Sequence, residues 1–412
     1  MKISSSLKVA LLLILLAACN SVAPRVTPTE LYTPIQPSPT GVAATLFAPL
    51  ATPEPSPNAP TELSFSHLAT APVGDHPTSI AVGDFDNDGD DDLAVTNDGG
   101  GAGHTISIVA NDYPTGFVVA ATIRVGDEPI AIVSGDWDSD GDLDLAVANH
   151  ISDDISILRN DGRGNFAEAS RTTMPEKSYP FMMAMGDFDQ DGDLDISVAN
   201  FFETGALSIL ANNGVGGFSV AATIVVRGNP YSVTTGDFDG DRDLDLAVSG
   251  AASNLVTVLR NDDGFAINGQ WPVGDEPWAI VSGDWDGDGD VDLAVANSGS
   301  NDISILHNDG AGKFTPTAPL PVGEEPYSLA AGDFDRDGDL DLAIANEDSH
   351  TASIALNDDG QGTFRVAGTL GSLNEPWAVA VGDFNSDGLP DLAFTNSESD
   401  NLLIFGNTLL TP

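Results

Sequence analysis

Residues Asp136–Asp144 read DWDSDGDLD, with acids at positions one, three, five, seven and nine and Gly141 at six. Carboxylates packed this densely repel, each raising the pKa of its neighbours, unless a cation neutralises them. A hard, oxygen-seeking ion suits the pattern. Ca²⁺ takes about six to eight oxygens, which a tight loop with a glycine turn can supply from alternate side chains plus a backbone carbonyl. An EF-hand is excluded, because its loop needs a bidentate Glu at position twelve. Here position twelve is Val147, and the last acid, Asp144, leads straight into the apolar run LAVAN, which reads as a strand.

The pattern recurs, its first Asp falling at Asp84, Asp136, Asp187, Asp237, Asp284, Asp333 and Asp383, in steps of 52, 51, 50, 47, 49 and 50 residues. Seven copies of a unit this long mean a repeat architecture. The chain has 63 acids against 14 bases and a formal net charge of −49. More than half of the acids lie in the seven loops, so much of the charge is an inventory of metal ligands. Even with every loop filled the chain stays strongly acidic, which excludes nucleic acid and direct binding to anionic headgroups.

The elements that must position these loops are short strands. In the second copy Ile130–Trp137 reads as one strand, Leu143–Asn149 as a second and Ile155–Leu158 as a third, with a more polar fourth opening at Phe166. Gly, Asn and Asp bound each of them, which calls for an all-β fold. Four strands per unit, seven times over, fits a seven-bladed β-propeller of four-stranded blades. The seventh copy stops after three strands. Leu63–Val73 aligns with the fourth strand Phe117–Val125, so the N-terminal strand is expected to complete the last blade and close the ring.

GDFDNDGDDDLAV and its six relatives resemble the FG-GAP/VCBS repeats of integrin-α-like seven-bladed propellers, and the resemblance covers residues 62–408. It implies that each loop joins the first two strands of a blade and binds Ca²⁺, five to seven ions per monomer. It further implies side-chain ligands at positions one, three, five and nine, and a carbonyl at seven, Asp142 in the second blade. Carried over, the ligands are Asp84, Asp86, Asp88 and Asp92; Asp136, Asp138, Asp140 and Asp144; Asp187, Asp189, Asp191 and Asp195; Asp237, Asp239, Asp241 and Asp245. The last three blades give Asp284, Asp286, Asp288 and Asp292; Asp333, Asp335, Asp337 and Asp341; Asp383, Asn385, Asp387 and Asp391. Two copies depart from the pattern. The fourth has Arg242 where the others have Gly, which removes the φ>0 residue and adds a cation, leaving occupancy of that loop open. The seventh has Asn385 and Leu389, for which weakened binding is expected.

Ahead of the repeats, residues 1–18 have a basic start and an apolar run too short to span a bilayer, as in a signal peptide. The run ends in Leu16-Ala17-Ala18-Cys19, which resembles the lipobox of bacterial lipoproteins; an ordinary secretory signal with an incidental Cys is the alternative. The resemblance implies lipid on Cys19, the one cysteine of the chain, and export to the periplasm or cell surface with membrane contact through the anchor alone. Residues 19–61 are rich in Pro and Thr and read as an extended linker.

On the face away from the loops, the position after each blade's first Pro reads Thr78, Ile130, Phe181, Tyr231, Trp278, Tyr327 and Trp377. The five aromatics could stack on a ligand, or they could simply pack blade on blade. Beside four of these positions stand Glu128, Glu276, Glu325 and Glu375. The sequence contains no GxSxG, P-loop or HExxH pattern, and an enzyme is not expected. Two readings stay open: a monomeric module for protein binding, adhesion or scaffolding, as the integrin resemblance implies, or a lectin-like propeller binding glycan.

Overall fold

The computed structural model describes residues 62–410 except 202–204 and 263, so the signal segment, Cys19 and the linker lie outside the described residues. The expected all-β propeller is what the chain forms: seven antiparallel sheets, six of them built in chain order from the inside outward and the last completed by the N-terminal strand. In the first blade the strands are Pro77–Gly83, Asp92–Asn97, Thr105–Asn111 and Phe117–Arg124. Burial explains their composition. The second strands (DLAVTN, DLAVAN and equivalents) are buried at every residue. They are sandwiched between neighbouring blades on both faces, so their sequences are continuous apolar runs and not alternating ones. The outer strand FVVAATIR alternates between half-buried and exposed, as an edge should. In the fifth blade Pro316, Pro319 and Pro321 break the outer strand into Phe314–Pro316 and Leu320–Pro321, since proline cannot donate to the ladder.

The seven inner strands pack side by side around the axis, each against the inner strands on either side, and Pro77–Gly83 meets Pro376–Gly382 to close the ring. Small hydroxyls stitch them together. Ser134 donates to the Val82 carbonyl at 3.1 Å and Ser282 to that of Thr235 at 2.8 Å. The N-terminal strand Glu62–Pro72 is the outermost of the last blade, antiparallel to Asn401–Leu410 from Glu62↔Leu410 to Pro72↔Asn401. Asn401–Leu410 runs two residues beyond the 408 read from sequence. Because every inner strand starts at a proline and ends at a glycine, all seven acidic loops emerge on one face of the ring.

Candidate functional site

Each loop is hung from an aromatic residue at position two. Phe85, Trp137, Phe238, Trp285, Phe334 and Phe384 are at most 1% exposed and Phe188 is 6%. The inner strands end at Gly135 and its equivalents; Trp137 lies beyond that end, in the loop. The glycine is required. A Cβ on Gly135 would lie 2.8 Å from the Trp137 ring, and one on Gly236 2.7 Å from Phe238. The buried ring meets, edge to face, a Phe of the next blade's outer strand: Phe85–Phe166 at 5.4 Å, Trp137–Phe218 at 5.6 Å, Phe384–Phe117 at 6.3 Å. For Phe334 that partner is Phe65 of the N-terminal strand, at 5.9 Å.

The loop backbone then wraps the carboxylates. Asp84 accepts the N–H of Asp88 at 3.1 Å and of Gly89 at 3.0 Å, Asp86 accepts that of Asp88, and Asp88 that of Asp90. This fold needs two left-handed residues per loop, at positions four and six, such as Ser139 (φ 60°) and Gly141 (φ 96°). Arg242 takes the second role at φ 81° and still donates its N–H to Asp237, so the fourth loop keeps its turn without glycine. Asn385 keeps the seventh loop in shape, its side-chain oxygen accepting the Asp387 N–H at 2.9 Å.

Position nine is the buried pivot: Asp92, Asp144, Asp195, Asp245, Asp292, Asp341 and Asp391 are at most 2% exposed. In the first blade one oxygen of Asp92 accepts the Phe85 N–H at 3.0 Å, and the other accepts that of Asn111, which ends the third strand, at 2.8 Å. That Asn recurs in every blade (Asn111, Asn160, Asn212, Asn261, Asn308, Asn357, Asn407). Its amide donates to the position-two carbonyl of the preceding blade, as in Asn160 to Phe85 at 2.7 Å and Asn407 to Phe334 at 2.8 Å. Loop and ring are therefore one hydrogen-bonded assembly, a role the sequence pattern did not reveal because the partners lie seventy or more residues apart.

Burial, ahead of neighbouring acids, pushes these carboxyls up: Asp92 and Asp391 to about 7, Asp341 to about 8, and Asp144, Asp195 and Asp245 to about 6. Oxygens of Asp138, Asp144, Asp284 and Asp333 are buried with no hydrogen-bond donor. In the first loop Asp84, Asp86 and Asp92 bring oxygens within 4.8 Å of one another, and in the third Asp187, Asp189 and Asp195 do the same. Hard oxygen donors, buried, converging and short of protons to accept, fit a divalent cation such as Ca²⁺. Each ion would be held by the carboxylates named from sequence. It would supply the positive charge that lets them all stay ionised.

Three residues near the loops escaped the sequence reading. Arg159 and Arg260 pair with position-three carboxylates, to Asp138 at 2.9 Å and Asp239 at 2.5 Å. His307 lies 3.2 Å from Asp286 and 3.3 Å from Asp292, forming a three-residue cluster able to hold a metal. Each sits one residue before the recurring Asn at the end of its third strand, a coincidence that only lining up the repeats by that Asn exposes.

At the opposite face the aromatics are arranged differently from separate exposed anchors. Phe181, Tyr231, Trp278 and Tyr327 are buried, with Trp377 half-buried beside them. Trp278 lies between Tyr231 at 4.1 Å and Tyr327 at 4.2 Å, the latter with planes 3° apart; Phe181 closes on Tyr231 at 5.1 Å and Trp377 on Tyr327 at 5.5 Å. Carried on inner strands, they converge on the axis and pack against each other. The residues just before each first-strand proline (His76, Glu128, Tyr179, Asn229, Glu276, Glu325, Glu375) all have left-handed φ between 47° and 57°. Burial raises Glu128 to about 7.

Repeated acidic loops on one end of a closed seven-bladed ring define an acidic-loop propeller. The family described as FG-GAP-like repeat matches residues 136–198, 187–248, 284–344 and 337–394, and that described as FG-GAP repeat matches 76–119. The chain belongs to the FG-GAP-like repeat family. No curated protein matches it at the sequence level. Among solved structures it is similar to BBS1N in complex with ARL6DN (14% identity, 84% of this chain and 97% of that one, TM-score 0.61). It is also similar to virginiamycin B lyase from Staphylococcus aureus (14%, 83% and 99%, TM-score 0.58) and to a protein from Lactobacillus plantarum (14%, 73% and 86%, TM-score 0.57). Identities this low show a shared fold, and one such ring carries an enzyme while another sits in a protein complex.

Proposed function

We propose that the chain is a non-catalytic, calcium-stabilised propeller, exported and held to a membrane by lipid on Cys19, which binds a protein partner on the face away from the acidic loops. The observation that carries this reading is the division between faces. The acidic loops are bonded into the ring at one face, whereas the other presents the turns between blades, where binding residues usually lie. The similarity to BBS1N, crystallised with ARL6DN, supports a protein as the occupant. The stacking of Tyr231, Trp278 and Tyr327 on one another weighs against a glycan, since those faces are no longer available to a sugar ring. Between the fourth and fifth blades that face has a groove of ≈ 430 Å³ lined by Ala251, Ala252, Asn254, Asp275, Glu276 and Gly299. Its acids, on a chain this acidic, would draw a basic segment of the partner.

Binding is tested by presenting the protein to cell-surface extracts and to a glycan array, beside an Asp275→Lys/Glu276→Lys variant. The expected result is a captured protein that the variant loses while keeping its calcium. Glycan signals that survive in the variant would replace this reading with the carbohydrate one.

A further inference from the structure

We infer that two of the seven loops, the second and the fourth, are closed by an internal guanidinium in place of a metal ion. The inference rests on the calcium reading of the other loops and goes beyond it.

Arg159 and Arg260 occupy the same place in their blades, immediately before Asn160 and Asn261. Arg159 pairs with Asp138 at 2.9 Å and also donates to the Val215 carbonyl, in the hairpin turn of the third blade. Arg260 pairs with Asp239 at 2.5 Å and donates to the Ala311 carbonyl, in the matching turn of the fifth blade, at 3.4 Å. Both position-three carboxylates are nearly enclosed, 10% and 4% exposed. Each guanidinium thus joins its own loop to the next blade, with Gly216 and Gly312 lying against it.

In the first and third loops positions one, three and nine bring oxygens within 4.8 Å of one another, and in the second and fourth positions one, three and five do so. Elsewhere the position before the Asn holds Ala110, Ala211, Leu356 or Gly406, none of them charged. Beside Ala110 lies a pocket of ≈ 190 Å³ lined by Asp86 and Asp92 and, from the second blade's turn, by Arg163 and Phe166. His307 stands there in the fifth blade, but an imidazole is itself a metal ligand and not a fixed positive charge. A guanidinium cannot lose its proton in a protein, so a divalent ion entering the second or fourth loop would face an undiminished like charge.

Native mass spectrometry of the full chain in millimolar CaCl₂ counts the ions directly, with circular dichroism to verify folding. Wild type should retain five, Arg159→Met and Arg260→Met six each, and Ala211→Arg, which builds the same clamp into the third blade, four. Affinity at the unmasked loops should rise by at least about tenfold. Seven ions in wild type, unchanged in the arginine variants and in Ala211→Arg, would overturn the inference while leaving the calcium reading intact. No bound calcium in any form would overturn both.

Discussion

Asp341 shows how much one carboxylate does before any metal arrives. Its two oxygens accept the N–H groups of Phe334 and Asn357, both at 2.9 Å, with the side chain 1% exposed. Asp341→Asn would turn one acceptor into a donor facing a donor, and should destabilise the protein by about 1–3 kcal/mol even in EDTA. Urea melts check this; an unchanged midpoint would remove the carboxylate from the structural account. Arg242 sits at φ 81°, where glycine is strain-free, so Arg242→Gly should stabilise by about 1 kcal/mol, visible as a raised Tm. The pH dependence follows from the raised carboxyls. Asp92, Asp391 and Glu128 are lifted to about 7 and Asp341 to about 8, all above their unfolded values. The folded chain then holds more protons than the unfolded one, so this stability is present at low pH and lost as pH rises through those values. His150, lowered to about 4 by desolvation among Tyr179, Phe181 and Phe201, works in the opposite direction below about 6.5. The clean window is therefore pH 6.5 to 8. Without calcium the Tm should fall across it, and calcium should flatten the slope by replacing the protons; a Tm that rises across that window in EDTA contradicts this.

At the scale of strands, the repeat was legible because each second strand is buried on both faces and each loop copies one pattern. The closure at Leu63–Val73 was legible for a similar reason: the last copy lacks a fourth strand and the first is preceded by one. What the pattern hid were relations across blades. Asn111 and its six equivalents are plain in the sequence, but nothing local says that their amides reach the preceding blade. Trp137 reads as the end of a strand until the ring turns it inward against Phe218. The aromatics at the other face could be read from sequence as ligand anchors or as blade packing, because sequence gives the register of Phe181 through Trp377 but not the narrowing of the axis that packs them together. Two predictions belong here. Asn160→Ala would take the amide donor from the Leu143 carbonyl and leave the Phe85 carbonyl only the Gly164 N–H, costing about 1–3 kcal/mol, whereas Arg163→Ala, on the exposed turn, should cost little. A chain starting at residue 75 should aggregate, because Asn401–Leu410 would be left as an open edge and Phe334 without Phe65. One starting at residue 61 should melt cooperatively. Equal melts for the two would disprove the role of the N-terminal strand.

Taken whole, the molecule is a ring whose blades are joined at one face by acidic loops, by Asn amides reaching back one blade, and by buried aromatic pairs. Its large negative charge is concentrated where a divalent ion would relieve it, and any ion that binds the folded ring alone would stabilise it by mass action. The opposite face lies away from those joints and is where the proposed partner would bind. The most direct test is the anomalous diffraction of calcium in a crystal grown with millimolar CaCl₂. The account predicts peaks about 2.3–2.6 Å from carboxylate oxygens in the first, third, fifth, sixth and seventh loops, with Arg159 and Arg260 filling the other two. Well-ordered loops without anomalous peaks, their carboxylates held by water and backbone alone, would contradict it.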